Sequence, residues 1–131
     1  MTKTKDIGNF GETAATKYLR RKHYKILARN FRDGHHELDI VAQNRTEIVF
    51  VEVKTRTVDP YAYSPYGTPS EAVDRDKKKN TLSASYAYLR QFPNSRQPRI
   101  DVIEVYLDKN SEKPKVLKIN HFENAIGKND I

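Results

Sequence analysis

Cysteine is absent from the chain, which excludes disulfides, thiolate-held metals and a cysteine nucleophile. Long apolar runs are missing too, and no stretch approaches the ~20 consecutive apolar residues of a membrane-spanning helix. The opening segment, Met1-Thr2-Lys3-Thr4-Lys5-Asp6, has no apolar core of a secretory signal. The cytoplasm is therefore the expected compartment, and no membrane partner is expected. No internal repeat interrupts the chain. Acid is lacking over one long segment: from Thr13 through Arg32 there are seven basic residues (Lys17, Arg20, Arg21, Lys22, Lys25, Arg29, Arg32) and no Asp or Glu.

What remains describes a soluble α/β globule. The 131 residues are 37% hydrophobic and 31% charged, enough for one domain over residues 1–131 with a modest core. Lys and Arg number 24 against 17 acids, a formal charge of +7. Such a balance favours a polyanion, which makes nucleic acid, DNA in the first instance, the expected partner. The basic segment admits two readings, cations complementing a helix C-terminus and cations contacting phosphate.

Periodicity predicts a first helix from Asp6 to Arg21, with Asp6 as its N-cap and Ile7, Phe10, Ala14, Tyr18 and Leu19 on its apolar face. Gly8 and Gly11 fall on the packing side. At about 100° per residue Glu12 lies at the edge of that face, where it either meets solvent or points toward a site. Strands are predicted at Tyr24–Asn30, around Glu37–Ala42 and at Glu47–Lys54, with a turn at Asp33-Gly34 and a hairpin at Gln43–Thr46. Val58 to Pro69, rich in Pro and Tyr, reads as a mobile loop whose tyrosines suit base stacking. A second helix is expected from Ser70 to Gln91, a turn at Pro93–Pro98, and strands at Ile100–Tyr106 and Lys115–Ile119. The order is αβββαββ, hence a mixed sheet flanked by helices.

The chemistry concentrates in Glu52-Val53-Lys54, which closes the β-branched run Ile48-Val49-Phe50-Val51, and in Asp39 one strand earlier. Charges near a core cost several kcal/mol each unless paired or bound to metal. Pairing Gln43 with Thr46 makes Asp39 and Glu52 diagonal neighbours on one face, and a register moved by two sets them opposite; a bulge breaks either arrangement. Two carboxylates and a lysine suit metal-dependent phosphodiester cleavage with Mg²⁺ or Mn²⁺. Asp39, Glu52 and the Val53 carbonyl are the candidate ligands, and Glu12 completes the shell directly or through water. Lys54 would stabilise developing negative charge, and Glu37 is an alternative outer acid. The competing reading is a cross-strand salt bridge between an acid and Lys54.

These residues sit in a longer series of blocks: Gly8-Asn9-Phe10-Gly11-Glu12, Glu37-Leu38-Asp39-Ile40-Val41, Val49-Phe50-Val51-Glu52-Val53-Lys54-Thr55-Arg56, Arg99-Ile100-Asp101-Val102 and His121-Phe122-Glu123-Asn124-Ala125. In that order they resemble the YraN-like family of bacterial proteins, related to Holliday-junction resolvases within the PD-(D/E)xK nuclease superfamily. The resemblance implies a restriction-endonuclease-like core, with Glu12, Asp39, Glu52 and Lys54 as catalytic residues. It also implies roles for Arg56 and Lys77 near the phosphate; apart from the resemblance, charge alone makes Lys78 and the basic segment's Arg20, Arg21, Lys22, Arg29 and Arg32 candidates for phosphate contact. One departure is that His36, where relatives usually have Gly, precedes Glu37. His35 and His36 are expected to be exposed, and His23 and His121 carry no clear signal. Cutting two symmetric strands would suit a homodimer.

Overall fold

The computed structural model describes residues 4–61 and 75–126. Helix α1 spans Thr4–Arg21, followed by strands β1 (Lys25–Asp33), β2 (His36–Gln43) and β3 (Glu47–Val58). Helix α2 (Arg75–Gln91) then leads to β4 (Gln97–Asp108) and β5 (Val116–Phe122). The strands form one sheet in the order β1-β2-β3-β4-β5, with β3 and β4 parallel and the other neighbours antiparallel. A parallel pair needs a crossover, and α2 lies in it. The mixed sheet with the order αβββαββ is the architecture expected from the sequence, consistent with a restriction-endonuclease-like core. Of the loop expected at 58–69, residue 58 ends β3, while 62–69 and the expected helix start at 70–74 lie outside the described residues. No described helix is long and apolar enough to cross a membrane.

Alternation along the strands builds two cores. On one face Ile48 and Phe50 of β3 join Leu38, Val41, Ile100 and Val102 under Ala84 and Tyr88 of α2. On the other, Val49 and Val51 join Ile40, Ala42, Ile103 and Val105 under Ala15 and Leu19 of α1. Both faces of β3 are thus covered, as a central strand of a parallel pair requires. Asp6 lies inside the first turn of α1 and is not its cap; an acid there complements the positive end of the helix dipole. Gly11 supplies the close approach of α1 to β3: a Cβ on it would collide with Thr55 Oγ1 and lie 2.9 Å from Thr55 Cβ and Cγ2. Gly8 has open space around it and serves no such contact.

The β2–β3 hairpin takes the register moved by two. Gln43 pairs with Ile48, and Ile40 with Val51. Asn44 causes the difference, because its Oδ1 accepts the N–H groups of Thr46 (3.0 Å) and Glu47 (2.7 Å) and closes the turn from its side chain. A second irregularity lies at Asp39. Leu38 packs under α2 and Ile40 under α1, although strict alternation puts residues two apart on one face. The β1 register sets Asn30 opposite Asp39, and Asn30 has a left-handed backbone (φ 54°). Both strands therefore switch faces at the same point.

Candidate active site

The β2–β3 ladder stops at Ile40 and Val51, while β3 continues to Val58 against β4. Where the two strands part, Asp39 Oδ2 accepts the Val53 N–H at 2.8 Å. A carboxylate thus replaces the missing ladder bond and sits in the split of the sheet. Glu52, 4% exposed, points to the α2 side, where its Oε1 meets Lys77 Nζ at 3.1 Å. Burial, reinforced by the nearby Asp39 charge, pushes the Glu52 carboxyl up to about 7 against the pull of Lys77. Glu12 approaches from the α1 side. Its carboxyl is likewise raised, by burial first and then by Asp39.

Asp39 therefore stands electrostatically between Glu12 and Glu52, which come from opposite sides of the sheet. One step past the end of the ladder the observed register sets Asp39 opposite Glu52, and its charge bears on Glu52 and Lys77 as well as on Glu12. Glu12 Oε1 is buried without a hydrogen bond, with Arg29 3.9 Å away as a counter-charge. Lys54 is half-buried two residues beyond Glu52 on the same face, and its charge also bears on Glu52. Val53 presents its N–H to Asp39.

Glu12, Asp39 and Glu52 are hard-oxygen donors of the kind that could hold a divalent cation such as Mg²⁺ or Mn²⁺. Among the described residues no three acidic or histidine side chains are close enough to enclose an ion by themselves.

The basic candidates divide. Lys77 belongs to the cluster, and Arg29 joins it through Glu12 and Thr13 Oγ1 (3.2 Å). Arg56 turns to the fully buried Glu104 (Nε–Oε2 3.3 Å), whose Oε1 accepts the Tyr106 hydroxyl at 3.0 Å. Arg32 pairs with Glu37 at 2.9 Å on the surface, while the Glu37 charge still bears on Lys77. Arg32 and Glu37 line a hollow of about 290 Å³ that reaches Asp39. Arg20 and Arg21 end α1 about 13 Å along its axis from Glu12, next to Lys22, and all three are exposed. Lys78 follows Lys77 half-buried on α2. Gly34 takes the left-handed position (φ 63°) of the β1–β2 turn, so that turn needs no glycine directly before Glu37.

Sequence reasoning missed a second polar centre. Asp101, fully buried, accepts Arg99 Nε and Nη2 (both 2.9 Å), the Asn124 N–H (2.9 Å) and a bond from His121 Nε2 (2.6 Å). Arg99 also reaches Glu47 (2.6 Å) and the Tyr24 hydroxyl (2.6 Å), and Tyr18 Oη meets His121 Nδ1 at 3.0 Å. This network ties α1, β3, β4 and β5 together. Its trace in the sequence is the pair of charges Arg99 and Asp101 flanking Ile100 in a strand whose middle is rich in apolar residues.

The fold and site together define an α/β protein with a carboxylate–lysine centre in a split sheet, and comparison places it among known proteins. Residues 11–105 match the Uncharacterised protein family UPF0102, and the chain belongs to that family. It is 43% identical over 123 residues to a UPF0102 protein of Caldanaerobacter subterraneus, covering 93% of this chain and 95% of that one. A UPF0102 protein of Bacteroides thetaiotaomicron is 39% identical over 126 residues, 96% of each chain. One from Clostridium botulinum is 44% identical over 106 residues, 79% of this chain and 82% of the relative.

Proposed function

We propose that this protein is a metal-dependent endonuclease of the PD-(D/E)xK type, acting on branched or otherwise structured DNA in the cytoplasm. The observation that carries the reading is Asp39 at the point where β2 and β3 part, bonded to the Val53 N–H and near enough to Glu12 and Glu52 to raise both carboxyls, with Lys54 two residues beyond Glu52 on β3. Asp39 and Glu52 would hold Mg²⁺ or Mn²⁺, with Glu12 and the Val53 carbonyl as further oxygens. Bound there, the cation supplies charge neutralisation of the phosphodiester and acidification of a water. Asp39 is oriented for its part by the Val53 N–H, and Glu52 by its burial between β3 and α2. Lys54 stabilises the negative charge that develops on the phosphoryl oxygens. The net +7 charge draws the polyanion, and Arg29 and the exposed Arg20, Arg21 and Lys22 hold its backbone away from the reacting bond. A two-fold dimer would present two such sites to opposite strands.

Labelled linear, flap and four-way-junction DNA, incubated with Mg²⁺, Mn²⁺ or EDTA, tests the reading. Cleavage by wild type with metal, lost in EDTA and in Glu52→Gln, is the expected result. Binding without cleavage under every condition would replace it by a second reading, a nucleic-acid-binding module. That reading draws on the neutralisation of Glu52 by Lys77 within the protein itself.

A further inference from the structure

Among the described residues two half-exposed cations, Lys77 and Arg56, pair with buried acids, and of these acids only Glu52 has Asp39 beside it. The Lys77 ammonium lies 3.1 Å from Glu52 Oε1, on a carboxylate otherwise enclosed by β3 and α2. Arg99, by contrast, is 10% exposed and has its donors spread over Asp101, Glu47, Glu123 and Tyr24, a pairing with no way out. The Lys77 side chain is 38% exposed. It belongs to α2, a different element from the one bearing Glu52, and carries its charge on a flexible four-carbon stem. Its ammonium thus reaches Glu52 from the half-exposed side of the site rather than from within the sheet. Lys77 touches Glu52 and Lys54 acts on it from along β3, yet with Asp39 beside it the Glu52 carboxyl is still raised, and a divalent cation would supply twice the charge of one ammonium to the same oxygens.

We propose that Lys77 is an internal competitor of the divalent cation: ammonium and cation share one carboxylate oxygen face of Glu52, and binding of the cation displaces Lys77. This proposal rests on the reading of Asp39 and Glu52 as metal ligands. Its consequence is regulatory. Substrate phosphate offers the displaced ammonium a new anion, so metal and nucleic acid bind with positive coupling, and metal alone binds weakly. Lys77 is then a positioning residue that guards Glu52 between turnovers and reaches the phosphate during them.

The test is Mn²⁺ binding by titration calorimetry on the full chain at pH 8.0 without nucleic acid, for wild type, Lys77→Met, Lys77→Arg and Glu52→Gln. Removing the competitor in Lys77→Met should tighten Mn²⁺ binding about tenfold, the worth of one charge-assisted bond. Lys77→Arg, with a fork harder to pull from a carboxylate, should weaken binding relative to wild type. Glu52→Gln should lose most of it. In wild type the Lys77 side-chain ammonium resonance, identified by its loss in Lys77→Met, should shift on saturation with Mg²⁺. Equal or weaker Mn²⁺ binding by Lys77→Met, or an unmoved ammonium resonance, overturns the competition while leaving the metal site standing. Absence of Mn²⁺ binding in all four proteins overturns the metal reading and this proposal together.

Discussion

Glu52 is held at a cost that pH can expose. Its carboxyl titrates near 7 in the fold and near 4.5 in an ordinary setting, so the native state binds its proton more tightly than the unfolded chain does. The resulting stability is fully present below about pH 4.5 and is lost as pH rises through about 7. A shift of that size corresponds to roughly 3 kcal/mol at most. Glu52→Gln, which cannot ionise, should therefore be more stable than wild type at pH 8 and nearly equal to it at pH 4, as measured by urea denaturation. Equal stability at both values would show that Lys77 already neutralises the charge. Asp101 has the opposite sign. Burial works against its charge, yet the bonds from His121 and Arg99 hold its carboxyl below the usual value. Its contribution is present above the ordinary carboxylate range and disappears on acidification below it. Asp101→Asn leaves Arg99 buried beside a neutral amide and should cost about 3–5 kcal/mol at pH 7, read from the denaturation midpoint.

At the scale of elements, the placing of Glu12 depends on how closely α1 can lie on β3. Gly11 sets that distance against Thr55. Gly11→Ala forces the helix outward or Thr55 aside and should destabilise the fold by about 1–3 kcal/mol. It should also reduce cleavage, because Glu12 is the next residue and moves with the backbone. Gly11→Ala combined with Thr55→Ala removes the colliding hydroxyl and should recover much of both losses, a coupling that a double-mutant cycle measures. The paired switch of β1 and β2 at Asn30 and Asp39 acts in the same way on the other acid. A left-handed residue is uncommon outside Gly, Asn and Asp, and this one sits opposite the point where the carboxylate leaves the strand face. Asn30→Val should accordingly misplace Asp39 and destabilise the fold by about 1–3 kcal/mol, whereas Asn30→Gly should leave cleavage near wild type.

Across the whole molecule, on the proposed function, the surplus of base would govern encounter with the nucleic acid. With about six phosphate contacts, affinity should fall on the order of 10³-fold between 50 and 200 mM salt. Arg20, Arg21 and Lys22 contribute to that slope without touching the acids, since they end a helix whose Glu12 lies two to three turns away. Reversing all three to Glu should weaken binding and flatten the salt dependence in fluorescence anisotropy. Single-turnover cleavage of bound substrate should change little. A large loss of single-turnover rate would instead place the reacting phosphate near the end of α1.

The order of elements, the two faces of β3 and the burial of Glu52 all follow from the sequence alone. They depend on local periodicity: a β-branched run with period two, a helix with an apolar stripe, and turn residues between them. Glu52 and Lys54 stood out as candidates for the same reason, as charges closing an apolar strand run, whereas Glu12 at the edge of its helix face did not. The partners of those charges were not legible. Whether Asp39 shares a face with Glu52 turned on an Asn44 side chain closing a hairpin and on a left-handed Asn30 two strands from Glu52. Whether Lys77, Arg56 or Arg29 joins the acids, and whether His121 has a role at all, was decided when α2, β4 and β5 packed against the strands. Local pattern determines which face a residue takes within its own element, but contacts between residues distant in sequence exist only once tertiary packing brings the elements together.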